Sequence, residues 1–139
     1  MILTLKPIVK NYAKNSRILV DTDIIIKIYR GDKEKHKTLA PIQDNLAMSA
    51  ITAIELMIGA KNKKKQIEVS KTIKAYFFYD ITSAIGSKAF TLVKKYGLTH
   101  FIGVADALIA ATAIENKISL YTDNISDYGF IKELKLYKP

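Results

Sequence analysis

Cysteine and tryptophan are absent from this chain of 139 residues, and it has only two histidines, three prolines and six glycines. Without cysteine there can be no disulfide, thiolate nucleophile or Cys-based zinc or iron–sulfur site. Any metal must be held by oxygen or by His36 and His100. Long apolar runs are missing too. The best stretch, residues 101–114, is broken by Asp106 and falls short of the ~18 apolar residues of a spanning helix. The opening MILTLKPIVKNYAKNSR lacks the long apolar centre and small-residue cleavage site of a signal peptide, so a cytoplasmic protein with no membrane partner is expected. A phosphate-cradling glycine loop, a dinucleotide fingerprint and a Ser–His–Asp arrangement are also absent.

What is present is a chain that is 49% hydrophobic and 25% charged, with Tyr and Phe throughout. That composition argues against disorder. At this length a single domain buries roughly two-thirds of its unfolded surface, enough for a core without staples. The net charge of +9 is unevenly placed: residues 1–75 carry 15 basic and 7 acidic side chains, residues 76–139 carry 7 and 6. A basic half suggests a phosphate-bearing partner, although lysines chosen for solubility explain the charge equally well.

The apolar pattern alternates between strand and helix. Residues 17–21 form a short apolar run ending in Asp21, residues 24–29 start a helix, and residues 30–37 form a charged loop. A second strand is expected over 46–49. Helices follow over 51–60 and 61–74, the latter offering Ile67, Val69 and Ile73 as a thin apolar face. Residues 76–80 suit a third strand. Residues 83–96 suit a helix closed by Gly97, which can take the left-handed conformation after a helix end. Residues 103–116 are apolar nearly all round and predict a buried helix. A fourth strand over 118–121, a helical turn over 126–131 and an edge strand over 134–137 complete the pattern. The alternation predicts an α/β fold with a mostly parallel sheet of 4–5 strands covered on both faces.

Open sheets of this kind bind ligands beyond the carboxyl ends of their strands. Acidic residues collect there. Asp21 follows Ile-Leu-Val, and a carboxylate at a buried strand end needs a cation or several donors. Asp23 is the better-placed cap for a helix beginning near Ile24, which leaves Asp21 without that explanation. Glu55 fits a capping box in Thr52-Ala-Ile-Glu55. Asp106 sits near the start of an otherwise apolar helix, where an unpaired carboxylate is expensive. Thr122, Asp123, Asn124 and Asp127 supply further oxygens, or simply an Asx turn. His100 reads as a surface or half-buried residue, and His36, among lysines, as solvated. Clustered carboxylates repel unless divalent cations lie between them, and oxygen-only ligands select Mg²⁺ or Mn²⁺.

Four segments together resemble the motifs of PIN domains, closest to the VapC-type toxin branch: Ile18-Leu-Val-Asp-Thr-Asp-Ile24, Ser49-Ala-Ile-Thr-Ala-Ile-Glu-Leu-Met-Ile-Gly59, Gly103-Val-Ala-Asp-Ala-Leu-Ile-Ala-Ala-Thr-Ala113 and Leu120-Tyr-Thr-Asp-Asn-Ile-Ser-Asp-Tyr128. The resemblance covers 17–139 as a PIN-like nuclease domain and leaves 1–16 as an N-terminal extension. It implies a three-layer α/β/α sandwich and a Mg²⁺- or Mn²⁺-dependent endoribonuclease. A homodimer is implied too, held in check by a cognate VapB-type antitoxin. On this resemblance Asp21, Glu55 and Asp106 match the acidic positions that hold metal. The fourth falls on Asn124, with Asp127 supplying the missing charge and Thr122 supporting the site; Asp123 is the other candidate. Lysines 61, 63, 64, 65, 71 and 74 are expected to flank the groove. Two other readings remain open. One is a haloacid-dehalogenase-like phosphatase with Asp21 as nucleophile and Asp23 as general acid. The other is a catalytically inactive RNA-binding module.

Overall fold

The structure is a computed structural model that describes residues 16–139; the expected extension over 1–16 lies, Ser16 apart, outside the described residues. Four short strands, β1 (Ile18–Val20), β2 (Leu46–Ser49), β3 (Phe77–Tyr79) and β4 (Ser119–Tyr121), form one parallel sheet in the order β3-β2-β1-β4. The expected edge strand over 134–137 is reduced to a single parallel bridge between Leu120 and Leu136.

Both faces of the sheet are covered, which is why the strands read as unbroken apolar runs. The period of two persists underneath. Leu19 joins Ala47, Phe77 and Leu120 in a core with α5 (Ser83–His100) and α6 (Val104–Asn116). Ile18, Val20, Leu46 and Met48 point the other way, toward α1 (Thr22–Tyr29), α2 (Lys33–Leu39) and residues of α3 (Ala50–Gly59) and α4 (Lys63–Lys74). The result is the expected three-layer sandwich.

Several local expectations are corrected. The charged segment over 30–37 is not a loop throughout: Asp32 caps α2 by accepting the Lys35 N–H at 3.1 Å, and Leu39 anchors the helix in the core. His36 is half-buried, with a ring nitrogen 3.1 Å from the Ile28 carbonyl, rather than solvated. Of the thin apolar face on α4, Val69 is buried but Ile67 is exposed. Helix α5 does not stop at Gly97. It runs on to His100, whose ring stacks on Phe130 with centroids 4.1 Å apart, and Phe101 takes the left-handed turn at φ 56°. Packing of the last turn, including buried Tyr96, outweighs the ~1 kcal/mol cost of a glycine inside a helix.

Helix α6 ends the same way on Lys117, also at φ 56° and exposed. A left-handed backbone costs a residue with a Cβ roughly 1 kcal/mol that glycine avoids. Lys117→Gly should therefore raise the unfolding free energy by about 0.5–1 kcal/mol in urea titrations, partly offset by unfolded-state entropy, whereas Lys117→Ala should gain nothing.

Candidate active site

Because all four strands are parallel, the residues that follow them emerge at one edge. Asp21 follows β1, Ser49 ends β2 and Thr122 follows β4. Hydrogen bonding extends past β1, since the Asp21 N–H donates to the Tyr121 carbonyl at 2.9 Å.

Asp21 is 5% exposed and its carboxylate is held by three donors. Oδ1 accepts the Thr22 N–H at 2.9 Å and the Tyr128 hydroxyl at 3.2 Å; Oδ2 accepts the Thr122 hydroxyl at 2.7 Å. Asp21 is itself the cap of α1, which begins at Thr22 rather than near Ile24, so the expectation that Asp23 is the better-placed cap is corrected. Asp23 accepts its neighbour's N–H, from Ile24 at 2.9 Å. Asp106, half-buried in the first turn of α6, accepts the Tyr128 hydroxyl at 2.9 Å. One phenolic proton thus serves two carboxyl groups.

Glu55 is held differently. The cap of α3 is Ser49, whose Oγ accepts the Thr52 N–H at 3.2 Å, so Thr52-to-Glu55 is not a capping box. Instead Glu55 Oε1 accepts the Thr22 hydroxyl at 2.8 Å. Each hydroxyl has one proton, and an ionised carboxylate only accepts. Thr22 therefore spends its proton on Glu55 and receives one from Thr52 at 3.0 Å, while Ser49 donates to Thr52 at 3.1 Å. The chain of hydroxyls runs in one direction, from the buried end of β2 to an exposed carboxylate.

The segment after β4 divides its oxygens. Thr122 donates to Asp21 and accepts the Asn124 N–H at 3.0 Å. The Asn124 amide group donates to Asp23 at 3.1 Å, so this side chain turns to Asp23. Asp123 is removed from the cluster by Lys27 and Lys35, whose ammonium groups it accepts. Asp127 lies exposed on α7 (Ile125–Tyr128), and its charge is felt by Asp106. Of the two residues that could replace an acid at Asn124, Asp123 is tied to two lysines, whereas the charge of Asp127 reaches Asp106.

The electrostatics follow from this arrangement. Burial pushes the Asp21 carboxyl up to about 6; the Thr122 hydrogen bond opposes the rise and the charge of Asp23 adds to it. Burial also raises Asp106 against the Tyr128 hydrogen bond, with Asp21, Asp127 and Glu55 as charged neighbours. Burial and both carboxylates hold the Tyr128 phenol far above its ordinary range, so it stays a donor. Burial would raise Asp123, but the hydrogen bonds from Lys27 and Lys35 outweigh it and leave this carboxyl below its usual range. Among the described residues, the ion pairs are Lys27–Asp123, Lys35–Asp123, Lys65–Glu68 and Lys88–Glu133, and none involves Asp21, Glu55, Asp106 or Asp127.

A buried carboxylate and three acidic neighbours without a cationic side chain, all hard oxygen donors, suit a hard divalent ion. They do not yet form a closed ligand set: among the described residues no three His, Asp or Glu side chains are gathered in metal-holding geometry. Glu55 is turned to Thr22, and Tyr128 stands between Asp21 and Asp106.

Sequence reasoning passed over Tyr128 and gave Thr52 only a capping role. A tyrosine following Asp127 in a segment already rich in oxygens was the only signal for Tyr128, and nothing local shows it turning inward. Of the lysines expected around the groove, Lys61 and Lys65 border a cavity shared with Glu55, whereas Lys63, Lys71 and Lys74 line a separate shallow depression.

With this geometry established, comparison with known proteins is decisive. The PIN domain family model matches residues 18–126. This chain belongs to the PIN-domain family. It is 32% identical to "Ribonuclease VapC1" of Methanocaldococcus jannaschii over 139 aligned residues, covering 96% of each chain. It is 30% identical over 121 residues to "Ribonuclease VapC10" of Mycobacterium tuberculosis, covering 85% of this chain and 90% of that one. A chain of the "Toxin-antitoxin complex from Klebsiella pneumoniae" superposes with TM-score 0.72 at 27% identity, over 88% of this chain and 99% of that one. Membership of this family replaces the phosphatase reading, whose general acid, Asp23, is occupied by Ile24 and Asn124.

Two outcomes are expected of this PIN site. In metal-free protein the folded Asp21 keeps its proton up to about pH 6, while an unfolded aspartate releases it near 3.8. Between those values the folded state binds more protons. The contribution of Asp21 to stability is therefore full below about pH 4 and lost as pH rises through about 6. With EDTA present, the wild-type melting temperature should fall more steeply from pH 4.5 to 7 than that of Asp21→Asn. Tyr128→Phe strips a donor from two carboxyl groups and should cost about 1–3 kcal/mol in urea unfolding of the metal-free protein.

Proposed function

We propose that this chain is a metal-dependent endoribonuclease and the toxin of a toxin–antitoxin pair, cutting RNA phosphodiester bonds in the cytoplasm. The observation that carries the reading is the carboxylate set at one sheet edge, buried Asp21 with Asp106, Glu55 and Asp127, which has hydroxyl partners but no cationic partner among the described residues. Its support from relatives is the pair of named ribonucleases aligned above. Among the described residues no helix is long and apolar enough to cross a membrane.

Asp21, Asp106, Glu55 and Asp127 are the residues that would hold Mg²⁺ or Mn²⁺. When bound, such an ion supplies positive charge to a phosphodiester displacement. The chain's own groups do the remaining work. Thr122 and the Thr22 N–H fix both oxygens of Asp21, and Tyr128 sets Asp106 against it. Thr22, backed by Thr52 and Ser49, aims Glu55. Asn124, an amide, orients Asp23 and leaves the fourth acidic role to Asp127. Surface lysines grip the polynucleotide backbone without reading sequence.

The partner proteins follow from the same relatives: a cognate VapB-type antitoxin and a second copy of this chain. Exposed Phe90, Leu98, Phe101 and Val104, clustered along α5 and its junction with α6, suit a homodimer contact. The inactive-module reading rested on Asn124, and the proximity of Asp127 to Asp106 weakens it.

Asp106→Asn should keep its fold by circular dichroism and lose cleavage of structured RNA in Mn²⁺ by at least the roughly 10–100-fold that loss of an outer partner of a metal ligand costs. Asp23→Asn should dent activity only mildly. Wild-type protein that leaves such RNAs intact in Mn²⁺ would overturn the enzyme reading.

A further inference from the structure

Beside the carboxylates lies a cavity of about 440 Å³ between α1, α3 and α4. Glu55 is one of its lining residues, so it adjoins the candidate active site through that side chain. Its walls are apolar: Ile25, Leu56 and Val69, with Tyr29 beside them. Its rim is cationic, with Arg30 and Lys61 among the lining residues. An apolar recess of this size with a few polar groups among its lining is typical of a small-molecule-sized site.

We propose that this cavity takes one unstacked nucleobase of the RNA substrate, next to the phosphodiester bond that is cut. The proposal rests on the ribonuclease reading and names the part of the substrate that the site grips. Single-stranded RNA is read by splaying bases out and packing them on aromatic and apolar side chains, with phosphates held by cations outside. The recess is built for that division. A base enters the apolar part, while Arg30 and Lys61 meet the backbone phosphates that a base cannot carry inside. Asn62 adds a polar contact at the mouth: its Oδ1 accepts the Lys65 N–H at 2.9 Å, which leaves its amide protons for a base edge. A purely aliphatic partner would leave the cationic rim uncompensated, and a bare phosphate would leave the recess empty.

Gly59, at the end of α3, lines the cavity, and a Cβ there meets nothing within 4 Å. A larger side chain at this position has open space at the cavity wall and brings no backbone strain. The experiment measures binding of short fluorescent RNAs, intact or with one abasic nucleotide beside the cleaved bond, to wild type, Gly59→Ala and Gly59→Phe in EDTA. Gly59→Ala should match wild type. Gly59→Phe should bind intact RNA about ten-fold more weakly and should no longer distinguish it from the abasic RNA. Equal binding by Gly59→Phe, or an undiminished preference for the intact RNA, overturns the proposal. If Gly59→Phe does not fold, 4-thiouridine placed at that nucleotide should crosslink wild type within α1, α3 or α4, and crosslinks confined elsewhere overturn it equally. Base-dependent binding with no cleavage in Mn²⁺ sinks the ribonuclease reading and leaves the pocket standing. Cleavage that ignores Gly59→Phe does the reverse. Loss of antitoxin binding in Gly59→Phe with RNA binding unchanged assigns the cavity to a protein and overturns the proposal.

Discussion

A carboxylate buried at the end of a central strand is unstable unless something answers its charge, and in this molecule neutral donors answer it. Asp21 receives a backbone N–H and the hydroxyls of Thr122 and Tyr128, and no lysine or arginine among the described residues pairs with it. Burying an ion costs several kcal/mol that neutral donors only partly return. The rise of Asp21 toward pH 6 measures that residue of unmet charge. A site left in this condition is ready for a cation, and its neighbours Asp106, Glu55 and Asp127 deepen the same deficit.

The fold supplies the edge on which this occurs. Strands of three or four residues are too short to do more than set direction, but in a parallel sheet direction is enough. Each strand releases its next residue at the same edge, so Asp21, Ser49 and Thr122 meet although 101 positions separate the first from the last. Helices α3 and α6 then carry Glu55 to Thr22 and Asp106 to Tyr128. Cationic side chains are kept to the flanks: Lys27 and Lys35 are tied to Asp123, and Arg30 and Lys61 stand at the neighbouring cavity.

Legibility in the sequence followed the length scale of the cause. Alternating apolar runs announced the parallel sandwich, since covering both sheet faces leaves a signature in every strand. Asp21 and Asp106 could be singled out because a charged residue inside an apolar segment conflicts with its surroundings. Helix ends were less legible. Gly97 looked like a stop, yet packing around Tyr96 and the stacking of His100 on Phe130 carried α5 one turn further. Glu55 was ambiguous for a similar reason. Its spacing from Thr52 satisfies a capping box, and only the position of Ser49 as the true cap frees it to meet Thr22.

The order of residues alone determined the fold class and ruled out sulfur chemistry from cysteine, because apolar periodicity and the absence of cysteine are properties of the chain itself. It also determined that acidic residues would follow strands. The tertiary structure decided which oxygens face one another. Tyr128 between Asp21 and Asp106, Asp123 withdrawn by two lysines, and Asn124 turned to Asp23 all depend on contacts between segments remote in sequence. Hydrogen-bond partners are chosen within about 3 Å, a scale on which neighbours along the chain say little about neighbours in space.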